Sequence, residues 1–135
     1  MPLPRNAIRA IALAMIALLA SGCERVLFRY LNRGLAPPAE SVVFDAGRGL
    51  ALDVYRARGA APGKAPVVVF FYGGAWQRGE RGQYRFVGER LAANGIVAIV
   101  ADYRTWPRAG FPDFMDDAAR AVAWARMHAA EQGGD

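Results

Sequence analysis

The residues of this chain that invite chemistry are Gly73, Gly74 and Ala75, which follow directly on the apolar run Val67, Val68, Val69, Phe70, Phe71 and Tyr72. Glycine lets the backbone turn through conformations closed to larger residues, and it leaves N–H groups uncovered. At the carboxyl edge of a sheet such donors face the crevice in which open α/β sheets bind their ligands. Acyl transfer builds negative charge on a carbonyl oxygen, and preorganised backbone N–H groups stabilise that charge by roughly 3 to 4 kcal/mol each. "YGGAWQRGERG", residues 72–82, has the composition of such an oxyanion loop.

Two other glycine-loop chemistries fit less well. Gly74 and Gly79 have the spacing of a phosphate-binding P-loop, but Glu80 and Arg81 stand where Lys and Ser or Thr are required, and a carboxylate there repels phosphate. Ala75 breaks the G-x-G of a dinucleotide fingerprint, although Asp102 at the end of the next apolar run stands where a ribose-binding acid would.

The elements that must position this loop follow from periodicity. Residues 67–72, bounded by Pro66 and Gly73, read as a strand buried on both faces. Residues 41–44 and 50–56 read as a hairpin closed by "DAGRG", with one apolar face, as at a sheet edge. Tyr84, Val87, Leu91 and Asn94 recur at helical spacing before Gly95, residues 96–102 form a second buried strand, and 114–132 form a helix with Asp113, Asp116 and Asp117 at its start. Trp124 and Met127 are expected to pack that helix, and Asp102 and Arg104 to pair. Hairpin, strand, helix, strand, helix is an α/β order, with a parallel pair inside the sheet.

The net charge is +5, and two of those charges, Arg5 and Arg9, lie in the first nine residues. All the basic residues but Lys64 are scattered arginines, which gives nucleic-acid binding little support. Arg5 and Arg9, the apolar stretch 10–20 and small residues before the sole cysteine have the form of a secretory signal. One cysteine has no intrachain disulfide partner and cannot alone build a structural zinc site. "LASGC", residues 19–23, resembles the lipobox of bacterial lipoproteins. That resemblance implies a 1–22 signal peptide, lipidation of Cys23 and membrane attachment, and residues 23–40 read as a tether in which Val26, Leu27, Tyr30 and Leu31 line a short helix stopped by Gly34 and the Pro37, Pro38 pair. Glu24 rather than Asp after the cysteine implies an outer-membrane, periplasm-facing location in the cell envelope.

"FFYGGAW", "LAANGIVAIVADYR" and "FPDFMDDAARAVAWARMHAAEQGGD" together resemble the N-terminal part of an α/β-hydrolase of the bacterial carboxylesterase and feruloyl-esterase-like group, related to hormone-sensitive lipase. Tyr72 to Trp76 match its H/Y-G-G-x-W loop, and Asp102, Tyr103 and Arg104 its D-Y-R. Phe111, Pro112 and Asp116 match its Phe-Pro and downstream Asp. The resemblance implies a partial hydrolase domain over 41–135 that acts on small carboxylic esters by a serine acyl-enzyme route, without cofactor or metal. It also implies oxyanion donors at Gly73, Gly74 and Ala75, with Tyr72 and Trp76 shaping the loop, Trp76 either flooring an acyl pocket or packing the loop. The family's nucleophile elbow follows the terminal "GGD", so no catalytic triad is expected from Ser21, Ser41 and His128, and the chain alone is expected to be poorly folded and inactive. A non-catalytic envelope lipoprotein, a hydrolase remnant that binds a ligand or partner, is the alternative.

Overall fold

The computed structural model describes residues 24–61 and 63–135, together with Asn6 and Arg9. Cys23 and the apolar stretch 10–20 lie outside the described residues. The chain divides into a unit ending at Arg33, in which residues 24–31 are helical, and a unit Gly34–Asp135 that holds the sheet.

Four strands make the sheet: β1 (Glu40–Asp45), β2 (Leu50–Tyr55), β3 (Val67–Phe71) and β4 (Val97–Ala101), in the order β1-β2-β4-β3. β1 with β2 and β2 with β4 run antiparallel, while β3 and β4 are parallel with Val67 opposite Val97. The turn between β1 and β2 is closed by the Asp45 carboxylate, which accepts the Arg48 N–H at 3.1 Å, and by Gly49 at φ 68°.

Helix α1 (Arg85–Ala93) covers one face and α2 (Asp113–His128) the other. On the α2 face Leu52, Val54, Val97, Ile99 and Ala101 meet Ala121 and Ala125, and on the α1 face Tyr55, Ala98 and Val100 meet Ala92 and Leu91. The period of two along β2 and β4 thus feeds both cores. α1 ends in a Schellman arrangement: Gly95 takes φ 77°, its N–H donates to the Ala92 carbonyl at 3.1 Å, and Ile96 N–H reaches the Leu91 carbonyl at 3.2 Å. α2 stops at His128, and residues 130–132 form one 3₁₀ turn instead of its last helical turn.

Two expectations about the sheet are corrected. β3 is not buried on both faces: among the described residues it pairs only with β4, and Val68 is exposed. The strand buried throughout is β4, because the order of the sheet sets it between β2 and β3. β2 is likewise interior rather than an edge strand, and both its faces are covered, so Asp53 and Tyr55 are buried with Leu52 and Val54.

α1 approaches the sheet where Gly88 meets the Tyr55 ring; a Cβ at Gly88 would lie 2.3 Å from Tyr55 Cδ2. Tyr55 has no room to yield, being 2 % exposed, and burial pushes its phenol pKa up to about 12. Gly88→Ala is therefore expected to destabilise the protein by about 1–3 kcal/mol, against the roughly 1 kcal/mol gain that helix propensity alone would give. A shift of the urea midpoint to lower concentration checks the sign, and a shift to higher concentration would refute the close packing.

Candidate functional site

The loop of residues 73–82 leaves the carboxyl end of β3. Gly74 has φ 141°, and a Cβ there would lie 2.0 Å from the Arg78 carbonyl oxygen, so the position admits only glycine. Its own carbonyl accepts the N–H groups of Gln77 at 3.0 Å and Arg78 at 3.2 Å. Ala75 and Trp76 follow in the left-handed region at φ 54° and 62°, a conformation that costs a non-glycine residue about 1–2 kcal/mol. Gly73 is different: its φ is ordinary and a side chain would meet open space. The requirement for glycine thus falls at Gly74 and Gly79, with Gly73 free of it, and the strain continues into Ala75 and Trp76. The N–H groups of Gly73, Gly74 and Ala75 donate to no acceptor among the described residues. Three successive free donors on a fixed loop can receive an anionic oxygen.

Aromatic stacking holds the loop over the sheet. Tyr72 is buried between Tyr103, at 4.7 Å between ring centroids, and Tyr84, at 5.8 Å, and its carbonyl accepts the Tyr103 hydroxyl at 2.7 Å. Burial and the nearby Asp102 push the Tyr72 phenol pKa well above its ordinary value, so it remains a hydrogen-bond donor. Trp76 stacks on Phe114 at 5.1 Å, meets Tyr103 edge-on at 5.2 Å, and accepts the Trp106 N–H on its carbonyl at 2.8 Å. It packs the loop with one part of its surface and leaves the rest exposed.

The charged residues pair otherwise than their spacing suggests. Asp102 and Arg104 do not pair, because both lie beyond the end of β4, where the strand's alternation no longer sets their direction, and each turns to a different partner. Asp102 accepts from Arg81, through the backbone N–H at 3.2 Å and the guanidinium, and Arg81 Nε also reaches Asp53 at 3.0 Å. Burial alone would lower the Arg81 pKa, but the two carboxylates raise it above its ordinary value. Arg104 instead clasps Asp117 with Nε at 2.8 Å, Nη2 at 2.9 Å and its backbone N–H at 3.0 Å, while Arg48 Nη1 bridges Asp117 at 2.9 Å and Asp116 at 2.6 Å. Asp117, fully buried, is the anchoring carboxylate, and Asp116 one residue earlier is half exposed. Sequence reasoning passed over Arg48, Asp53 and Arg81, because the ion pairs of Arg81 with Asp102 and Asp53 and of Arg48 with Asp117 join residues 21 to 69 positions apart.

Ser41, the only serine among the described residues, donates to Asp53 at 2.6 Å. His128 stacks on Trp124 at 4.3 Å, with Nδ1 2.8 Å from the Trp124 carbonyl oxygen. These are separate local contacts, not a nucleophile and its base. Trp124 packs against the core, whereas Met127 does not: it is 71 % exposed, on the face of α2 turned from the sheet. Among the described residues no group of three or more His, Cys, Asp or Glu is arranged to hold a metal ion.

The BD-FAE family model matches residues 52–135. Esterase LipC of Mycobacterium tuberculosis is 42 % identical over 108 residues, covering 79 % of this chain and 25 % of LipC. The probable isoprenylcysteine alpha-carbonyl methylesterase ICMEL1 of Oryza sativa is 34 % identical over 118 residues, covering 87 % and 27 %. The propionate-bound structure of esterase Est2 from Thermogutta terrifontis superposes with a TM-score of 0.65 at 38 % identity, covering 73 % of this chain and 38 % of that one. The chain thus spans about a quarter of the length of the first two relatives.

The Asp117 cluster has a measurable consequence. Burial pushes the Asp117 carboxyl up, but the hydrogen bonds from Arg104 and Arg48 outweigh it and hold the pKa below the ordinary carboxylate value. The stabilisation is therefore complete above about pH 4 and is lost as pH falls through the lowered folded-state value. Asp117→Asn, which leaves the Arg104 guanidinium without its carboxylate partner and takes one of them from Arg48, is expected to destabilise by about 3–5 kcal/mol at pH 7 and to flatten the acid limb of the stability profile. Denaturant titrations between pH 3 and 7 check both effects.

Proposed function

The chain belongs to the BD-FAE family of α/β-hydrolases, and from that premise we propose that it supplies the oxyanion-binding portion of an exported hydrolase of small carboxylic esters. The observation that carries this reading is the set of free N–H groups at Gly73, Gly74 and Ala75 on a strained loop at the carboxyl end of β3. Tyr72 and Trp76 shape that loop through their ring contacts. The substrate class is supported by relatives named as esterases, and the Thermogutta enzyme's structures with propionate and butyrate point to short acyl chains.

In this reading a serine oxygen attacks the ester carbonyl, and the tetrahedral oxyanion so formed accepts hydrogen bonds from the loop. Collapse breaks the bond to the alkoxy oxygen, which leaves as the alcohol with the proton taken from the serine. Water then attacks the acyl-enzyme, releasing the acid and returning the proton to the serine. Neither Ser41 nor His128 serves in this step. The nucleophile, acid and base belong to sequence corresponding to the part of the relatives that this chain does not match, and residues 23–135 alone are inactive. The leader 1–22 exports the protein, and a lipid on Cys23 attaches it to the outer membrane facing the periplasm.

The test is hydrolysis of p-nitrophenyl propionate and butyrate by the product of the whole reading frame, read past the codon for Asp135, and by residues 23–135 alone. The longer product is expected to turn over both esters and to be labelled by an organophosphonate on one serine, as the phosphonylated Thermogutta enzyme suggests. Turnover by residues 23–135, or a stop codon immediately after Asp135, would overturn the reading. Export is tested separately: palmitate is expected to label the protein in cells, and Cys23→Ala to abolish the label.

A further inference from the structure

We propose that Arg81 and Asp102 are positioning residues that clasp the two ends of the oxyanion loop together and so hold its free N–H groups in place. The inference rests on the oxyanion role given above to residues 73–75.

Asp102 follows β4 directly, and its backbone N–H donates to the Ala51 carbonyl at 2.9 Å, so its carboxylate projects from a fixed point at the end of the central strand. That one carboxylate accepts from both stems of the loop. Tyr72, the residue before Gly73, donates its hydroxyl at 3.3 Å, and Arg81 donates its backbone N–H at 3.2 Å and its guanidinium. The Arg81 guanidinium also reaches Asp53 on β2 at 3.0 Å, and Asp53 is held in turn by the Ser41 hydroxyl on β1. The returning end of the loop is thereby tied to three strands.

Between these stems the chain has no slack. A Cβ at Gly79 would lie 2.9 Å from the Gly73 carbonyl oxygen and 2.7 Å from Tyr72 Cδ2, so the outgoing and returning backbones touch. Two consecutive left-handed non-glycine residues persist only where their surroundings over-determine them. Among the described residues, the backbone hydrogen bonds that favour that shape are the two to the Gly74 carbonyl and one from Trp106 to Trp76. Stacking of Trp76 on Phe114 and Tyr103 fixes the middle of the loop, and the clasp fixes its two stems, so opening it would let the backbone on either side of Trp76 relax.

The decisive experiment compares Arg81→Met and the charge-keeping Arg81→Lys in the product of the whole reading frame. Amide exchange is read at Gln77, Arg78 and Trp106, whose N–H groups report the loop, and at Ile99 in β4. Arg81→Met is expected to speed exchange at the three loop amides roughly tenfold or more while Ile99 stays within about twofold. On p-nitrophenyl butyrate, kcat is expected to fall roughly tenfold or more with KM within about threefold, and Arg81→Lys to recover part of both effects. Loop amides that do not respond, or an Ile99 that loosens with them, would overturn the clasp whatever happens to activity. If the loop amides respond selectively but the unmodified product hydrolyses no ester, the clasp stands and the esterase reading fails.

Discussion

Everything in the Gly34–Asp135 unit is arranged around the burial of β4. Its five residues are wholly removed from solvent, enclosed by β2 and β3 along its edges and by α1 and α2 above and below. Such a strand must be apolar on both faces, and "VAIVA" is. Side chains alternate between the two cores, Val97, Ile99 and Ala101 toward α2, and Ala98 and Val100 toward α1. Sliding β4 by one residue would exchange the two sets, so the register with both neighbours is strongly specified.

Polarity begins where β4 ends, and that change organises the candidate site. Asp102 turns to Arg81 and the glycine loop, Tyr103 stacks beneath Tyr72, and Arg104 turns to Asp117 on α2. Three consecutive residues thus fasten three different segments to one strand end. Buried or half-buried ion pairs of this kind add little net stability relative to apolar packing, because desolvation offsets most of the attraction. What they impose here is position: each guanidinium engages two carboxylates or several oxygens, and few arrangements satisfy all of them.

The strained loop is the counterpart of that fixation. Gly74, Ala75 and Trp76 sit at positive φ, a conformation an isolated peptide would leave, and the N–H groups of Gly73, Gly74 and Ala75 donate to no acceptor among the described residues. Stacking of Trp76 on Phe114 and of Tyr72 on Tyr103 ties the same loop to α2 and to the exit from β4. Rigid surroundings that hold a strained donor set are what electrostatic preorganisation requires, since donors that must reorganise lose most of their effect.

Local pattern was enough to read much of this from the residues. The apolar runs, the Asp45–Gly49 turn, the Gly95 stop and the glycine loop are each written in neighbours a few positions apart, the range over which backbone propensity and periodicity act. The family resemblance rested on the same short stretches. The order of the strands was not so written: the runs at 67–72 and 96–102 are equally apolar, and only pairing across the sheet made β4 central and left β3 at an edge. Nor were the ion pairs, since Arg81 meets Asp53 and Asp102, and Arg48 meets Asp117, across separations no local rule spans. One position along α2 turns a side chain by about 100°, which buries Asp117 and leaves Asp116 at the surface, and the face that turns inward is set by what the sheet presents. The residues determined which segments would be strands, helices and a glycine loop; the packing of those segments decided which charges would meet, because that depends on distances only the folded chain creates.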